Sequence, residues 1–245
     1  MPKRDKLFSV PINKKQWTFD EDVTQVFSDM IKRSIPGYSI IKNMIGKFSK
    51  KFVKNHTHIY DLGCSLGEIA ISIQNHLHTT TGCKIIAIDN SPSMIKRFQH
   101  KIKNHQNTSS TLIEIIEADI NKIVIRNASM VVLNFTLQFI KIEERQLLLK
   151  SIYAGLNPEG ILILSEKFKF NNPHVNQLIN NLYYNFKKTN GYSDLEILQK
   201  HNLLKTAMII DTIDNHKKNL KNIGFAHVDV WFQYLNFGSL IAIKN

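Results

Sequence analysis

Three polar side chains close three successive apolar runs in this chain. Asp89 ends KIIAID, Asp119 follows LIEIIEA, and Asn134 stands in MVVLNF. Ahead of them, IYDLGCSLGE (59–68) reads as a strand, a glycine-bearing turn and a helix start. In open α/β sheets, ligands bind beyond the carboxyl ends of the strands, where such turns lie. Gly63 lets the backbone approach a ligand with no Cβ in the way, and Gly67 permits close packing of the helix on its strand. The D-x-G-x-x-x-G spacing is not the dinucleotide fingerprint G-x-G-x-x-G, which disfavours a pyrophosphate. It suits a ligand with an amino-acid tail, whose charges backbone groups and Ser65 can meet. Asp89 comes roughly 26 residues after Gly63, against about 20 in that fingerprint. An acid there can accept both hydroxyls of a ribose, and a charge-assisted bond of this kind contributes ~1.5–3 kcal/mol. Asn90 can flank the ribose or the adenine. Asp119 can accept from the adenine amino group, and Ile120 can cover the ring. An ordinary strand–helix turn explains the glycines alone, but not three polar side chains at three consecutive strand ends.

Other candidates carry less. Cys64 would need a lowered pKa to act as a nucleophile, and no base stands beside it in the sequence. It reads as a small loop residue. Trp17 and Trp231 read as core or interface aromatics, and Glu143-Glu144 as the solvated start of a helix. No residue is singled out as a catalytic acid, base or nucleophile. The two cysteines, Cys64 and Cys83, have no metal-ligand spacing, and no second Cys/His cluster completes a site with His56 and His58. No metal is expected.

The elements that must position these groups alternate. Residues 19–52 read as helices, opened by the acids Asp20, Glu21 and Asp22 and broken at Pro36-Gly37. Strands follow at 58–62, 84–88, 112–116, 130–135 and 161–165, with helices at 67–77, 91–102 and 143–156. Ser91 stands as N-cap with Pro92 at the first helical position. The apolar runs lack a half-buried period of two, as in a parallel sheet covered on both faces. Helices are expected at 176–188, 194–209 and 212–223, the last stopped by Gly224. Strands 228–234 and 239–243 form a hairpin, one strand of which can lie antiparallel at the end of the sheet. This combination is an α/β Rossmann-like class I methyltransferase fold with N-terminal helices and an antiparallel last strand. We divide its single domain into an N-terminal helical segment (1–55), a nucleotide-binding core (56–170), a helical insertion (171–224) and a C-terminal hairpin (225–245).

The chain has 245 residues, 43% of them hydrophobic, which is enough for one large core. No stretch has the ~18 apolar residues needed to span a membrane. The basic N-terminus has no apolar segment behind it, so the expected location is cytoplasmic. The net charge of +12 can mark a nucleic-acid partner. However, lysine outnumbers arginine about fivefold, the lysines are scattered, and Lys, Asn and Ile share AT-rich codons. Direct nucleic-acid contact is not expected.

Longer segments are more specific. FDEDVTQVFSDMIKRSIPGYS, IYDLGCSLG, IIAIDNSPSMI, NASMVVLNFTLQF, GLNPEGILILSEKF, NGYSDLEILQK and WFQYLNFGS together resemble the carboxy-S-adenosyl-L-methionine synthase family over nearly the whole chain. The resemblance implies a homodimer that takes S-adenosyl-L-methionine as co-substrate and prephenate as partner substrate. The products would be carboxy-S-adenosyl-L-methionine and phenylpyruvate. The former would pass to a tRNA carboxymethyltransferase acting on a wobble uridine. It also implies ligand contacts at Tyr38, Gly63, Cys64, Ser65, Asp89, Asn90, Asp119, Ile120 and Asn134. The chemistry is coherent: the sulfonium acidifies its own methyl group, prephenate expels carbon dioxide as it aromatises, and the resulting ylide captures that carbon dioxide. Such a site must exclude bulk water and hold both species within reach.

One position departs from the pattern. After GYSDLEILQK the family has an arginine that holds the new carboxylate, and here stands His201. Arginine is always charged and grips a carboxylate bidentately, whereas histidine is only partly protonated near pH 7. Lys200 or Lys205 could compensate, and affinity for the carboxylated ligand is expected to fall between about pH 6 and 8. Two other functions fit the same loop: an S-adenosylmethionine-dependent methyltransferase acting on RNA or a small molecule, and a non-catalytic carrier of the ligand.

Overall fold

The computed structural model describes residues 3–14, 16–104 and 111–245. Two helices come first, α1 (Glu21–Ser34) and α2 (Tyr38–Phe52). Asp20 caps α1 by accepting from the Val23 amide, with Glu21 and Asp22 in its positive first turn and Lys32 and Arg33 in its last. Alternation then begins: β1 (His58–Leu62), α3 (Glu68–Gln74), β2 (Lys84–Asp89), α4 (Pro92–Lys103), β3 (Leu112–Glu117), β4 (Ala128–Asn134), α5 (Ile142–Gly155) and β5 (Leu156–Lys167). Three helices follow, α6 (Pro173–Thr189), α7 (Asp194–Ala207) and α8 (Ile213–Ile223), and then β6 (His227–Tyr234) and β7 (Phe237–Ile243).

The seven strands form one sheet in the order β3-β2-β1-β4-β5-β7-β6. β7 alone runs antiparallel, between β5 and β6 rather than at the sheet's edge. Successive residues of the central strands enter opposite cores. Ile59, Ile85, Met130, Val132 and Ile163 pack with α2, α3 and α4 through Ile41, Ile45, Ile73 and Phe98. Tyr60, Leu62, Val131, Leu133 and Leu164 pack with α5 and α8 through Leu148, Ile152 and Leu220. Both faces are dry, which is why the strands read as unbroken apolar runs.

The register sets the site's height. Leu62 stands level with Ile88 on one side and Leu133 on the other. One residue further on, Gly63 follows β1 while Asp89 and Asn134 end β2 and β4.

Element ends depart from the sequence reading where tertiary pairing decides. β5 is twelve residues rather than five, because β4 pairs with it at Leu156 and again over 161–165, and β7 pairs with it over 161–167. It absorbs Asn157-Pro158 in an irregular stretch where Glu159 takes φ +63°. α6 starts three residues early, at Pro173, with Asn172 as its cap. Within the 171–224 stretch, α8 packs its fully buried Leu220 against α5 and β6. Among the described residues no helix is long and apolar enough to cross a membrane.

Gly67 begins α3 at φ +73°, and a Cβ there would collide with the fully buried ring of Phe98. Gly67→Ala should therefore destabilise the fold by about 2 kcal/mol in chemical denaturation. An unchanged midpoint would show that the turn relaxes freely.

Candidate active site

The turn between β1 and α3 is tied down by two carboxylates. Asp89 accepts from the amides of Ser65 (2.8 Å) and Ser91 (2.9 Å). Asp61 accepts from the Ala70 amide at 3.1 Å. Gly63 and Cys64 donate to the Ile88 carbonyl at 2.8 and 2.9 Å. Burial pushes the Asp61 carboxyl up to about 7, with Asp89 nearby adding to the shift and the Ala70 bond opposing it. Burial also raises Asp89, against the pull of its backbone donors. Two non-glycine residues here adopt left-handed backbone, Ser65 (φ 50°) and Phe135 (φ 61°). Strain of this kind collects at functional sites.

A cavity of about 660 Å³ opens over this edge of the sheet, within the range of small-molecule sites. Tyr38, Gly63, Cys64, Ser65, Asp89, Asn90, Asp119, Ile120 and Asn134 all line it, and so does His201. The structure also corrects details. The Ser65 amide is committed to Asp89, and its hydroxyl donates to Met94 Sδ at 3.4 Å. Asp119 Oδ1 caps the short helical turn after β3 by accepting from Asn121 at 2.9 Å. Burial and the nearby Asp61 and Asp89 raise the Cys64 thiol well above its usual range, which suits packing and not nucleophilic attack. Asn134 Oδ1 is buried without a hydrogen-bond partner among the described residues.

The roof comes from sequence-distant pieces. The segment before α1 lies against α7, where Gln199 donates to the Phe8 and Val10 carbonyls and accepts from the Ile12 amide. Asp5, almost wholly buried, accepts from the Tyr192 hydroxyl at 2.7 Å. This brings Trp17 and Phe19 into the cavity wall, where Trp17 Nε1 is another buried polar atom with no partner among the described residues. Trp17 was legible only as a core or interface aromatic. Lys167, Tyr183 and Lys187 also line the cavity. Their one sequence signal was Lys167 in the motif LSEKF.

The lysines revise the expectations about His201. Lys200 is not free to compensate, since its Nζ donates to Ser34 Oγ at 3.0 Å and lies 3.9 Å from Asp5. Burial, together with Lys167, Lys187 and Lys205, depresses the His201 imidazole. Its titration thus shifts down from the ordinary imidazole range.

The chain resembles known proteins closely. It is 53% identical to the carboxy-S-adenosyl-L-methionine synthases of Pectobacterium atrosepticum and Escherichia coli K12, covering 100% of this chain and 98% of each relative. This chain belongs to the carboxy-S-adenosyl-L-methionine synthase family. A methyltransferase domain family also matches residues 59–160. Solved structures share the fold at low identity. A putative S-adenosyl-L-methionine-dependent methyltransferase from Methanococcus maripaludis is 16% identical with a TM-score of 0.59, over 96% of this chain and 98% of that one. Human N-acetylserotonin methyltransferase is 18% identical with a TM-score of 0.55, over 100% of this chain and 63% of that one. The synthase-family chain thus has the class I methyltransferase fold.

In this synthase-family chain, the His201 ring protons should titrate below pH 6.5 by NMR. Affinity for a carboxylated ligand should then change little with the imidazole between pH 7 and 8. A midpoint at or above 6.5 would show that the lysines do not act on it.

Proposed function

We propose that the chain converts S-adenosyl-L-methionine and prephenate to carboxy-S-adenosyl-L-methionine, phenylpyruvate and water. The observation that carries this reading is one cavity lined both by polar groups at the strand ends and by lysines that have no carboxylate partner among the described residues. The rim fits the adenosyl ligand. Each Asp89 oxygen already takes one backbone amide and keeps a lone pair for a ribose hydroxyl. Asn134 Oδ1 needs a donor, which an α-ammonium supplies. We assign Tyr38, Gly63, Cys64, Ser65, Asp89, Asn90, Asp119, Ile120 and Asn134 to this ligand.

The bound sulfonium supplies an acidic methyl group. Loss of carbon dioxide and hydroxide aromatises prephenate, the methyl carbon takes up the carbon dioxide, and its proton leaves with the hydroxide as water. The protein's part is to hold both substrates and keep bulk water from quenching the exchange. The roof of Trp17, Phe19 and α7 suits that role. No side chain is required as a nucleophile.

Mass spectrometry tests the reaction. A gain of one carboxyl group on S-adenosyl-L-methionine that depends on prephenate supports it. S-adenosylhomocysteine with a methylated acceptor would instead mark a methyltransferase, and binding without turnover a carrier. Asn134→Ala should weaken S-adenosyl-L-methionine binding about tenfold in a folded protein, by loss of one bond to a charged group. Calorimetry giving wild-type affinity would remove Asn134 from the site.

The product would pass to a tRNA carboxymethyltransferase in the cytoplasm, without direct RNA contact by this chain. A homodimer is supported by α6, which buries none of its residues yet carries Val175, Leu178 and Leu182 at 41%, 58% and 44% exposure. Leu195 and Leu198 on α7 are also exposed, and an apolar surface of this kind marks an interface. Leu178→Glu with Leu182→Glu should shift the mass in light scattering from dimer to monomer. A wild type that is already monomeric would reject the assembly.

A further inference from the structure

Two cations in the cavity wall lack a counter-charge among the described residues. Lys167, the last residue of β5, holds its Nζ 4.9 Å from the centroid of the Tyr183 ring and 5.9 Å from that of Phe237. Lys187, one turn along α6 from Tyr183, holds its Nζ 4.4 Å from the same ring. Neither ammonium forms an ion pair with a carboxylate among the described residues. Its exposed neighbour Lys188 does, with Asp194 at 2.9 Å. The fold thus pairs the exposed lysine and leaves the two half-buried ones without a carboxylate among the described residues. Burial holds Lys167 at about 8, and burial with Lys167 alongside holds Lys187 at about 8. An aromatic face offsets only part of the cost of drying an ammonium. An anion entering the cavity would supply the rest.

We infer that Lys167 and Lys187, set on the Tyr183 ring, form the subsite for the carboxylate that the second substrate retains. This rests on the reaction proposed above. Prephenate carries two carboxylates. The one on the ring loses its charge as it leaves, so cations held against it would favour the ground state over the transition state. The one on the 2-oxo acid arm keeps its charge through to phenylpyruvate. Fixed ammoniums therefore anchor the arm, and the departing carboxylate is left to the apolar part of the cavity. Lys205 and His201, further along the same wall, remain for the carboxylate built on the sulfonium methyl.

Lys167→Met and Lys187→Met remove the charge and keep the unbranched side chain at one heavy atom shorter. In each, KM for prephenate should rise about tenfold or more, with S-adenosyl-L-methionine affinity by calorimetry within about twofold of wild type. Lys187→Arg should recover most of the loss. If Lys167→Met fails to fold, Lys187→Gln at the rim carries the test. Unchanged prephenate KM in folded variants overturns the subsite, as does weakened binding of carboxy-S-adenosyl-L-methionine with prephenate KM intact. A second readout needs no turnover: prephenate should raise the melting temperature of the S-adenosyl-L-methionine-saturated wild type, and both Met variants should lose that rise. A rise that depends on the lysines, with no carboxylated product, sinks the reaction and leaves the subsite. Product with wild-type KM in every variant does the reverse.

Discussion

A buried carboxylate and a half-buried one, on neighbouring strands, hold the turn on which the rest of the site depends. Asp61 and Asp89 spend their oxygens on backbone amides of the loop and of the two helices that follow. A buried carboxylate is costly unless hydrogen-bonded, and the loop amides cannot be satisfied by regular structure because the chain turns there. Each need answers the other. The result is a rigid edge at which Gly63, Asp89 and Asn134 stand level, set by parallel pairing of β1 with β2 and β4. The strain at Ser65 and Phe135 is tolerated because these bonds and the packing beneath over-determine the backbone.

Closure of the cavity rests on a second set of buried polar contacts. Asp5, Tyr192, Lys200 and Ser34 join the N-terminal segment, α7 and α1. Burial pulls Lys200 down to about 7 even with Asp5 beside it. Arg33 stacks 3.9 Å over the Tyr192 ring and bonds the Asp5 carbonyl at 2.7 Å. Packing of Phe8, Trp17 and Phe19 on Val26 and Met30 gives this roof a small core of its own. A roof built from three separated pieces can exclude water only when all three are docked. That links the stability of the N-terminal segment to the chemistry beneath it.

The cationic wall alters how the histidine substitution reads. Burial and three neighbouring lysines lower the proton affinity of the His201 imidazole. The positive potential is carried by neighbours on β5, α6 and α7. An arginine in that position would add a further fixed charge to a crowded wall.

Much of the site was legible because its parts are local. The strand–turn–helix signal, the polar residue at each strand end, the acidic start of α1 and the cap of α4 are decided within a few residues, by backbone geometry and nearby hydrogen bonds. The fold class followed from the alternation of apolar runs. What the sequence could not determine depends on contacts between distant segments. The length of β5 comes from two partner strands. The place of Trp17 comes from docking on α7. The company of Lys167 and Lys187 comes from α6 crossing the end of the sheet. Local spacing shows which residues can share a turn, but whether a lysine meets water, a carboxylate or an aromatic face is decided by packing, which only the tertiary structure supplies.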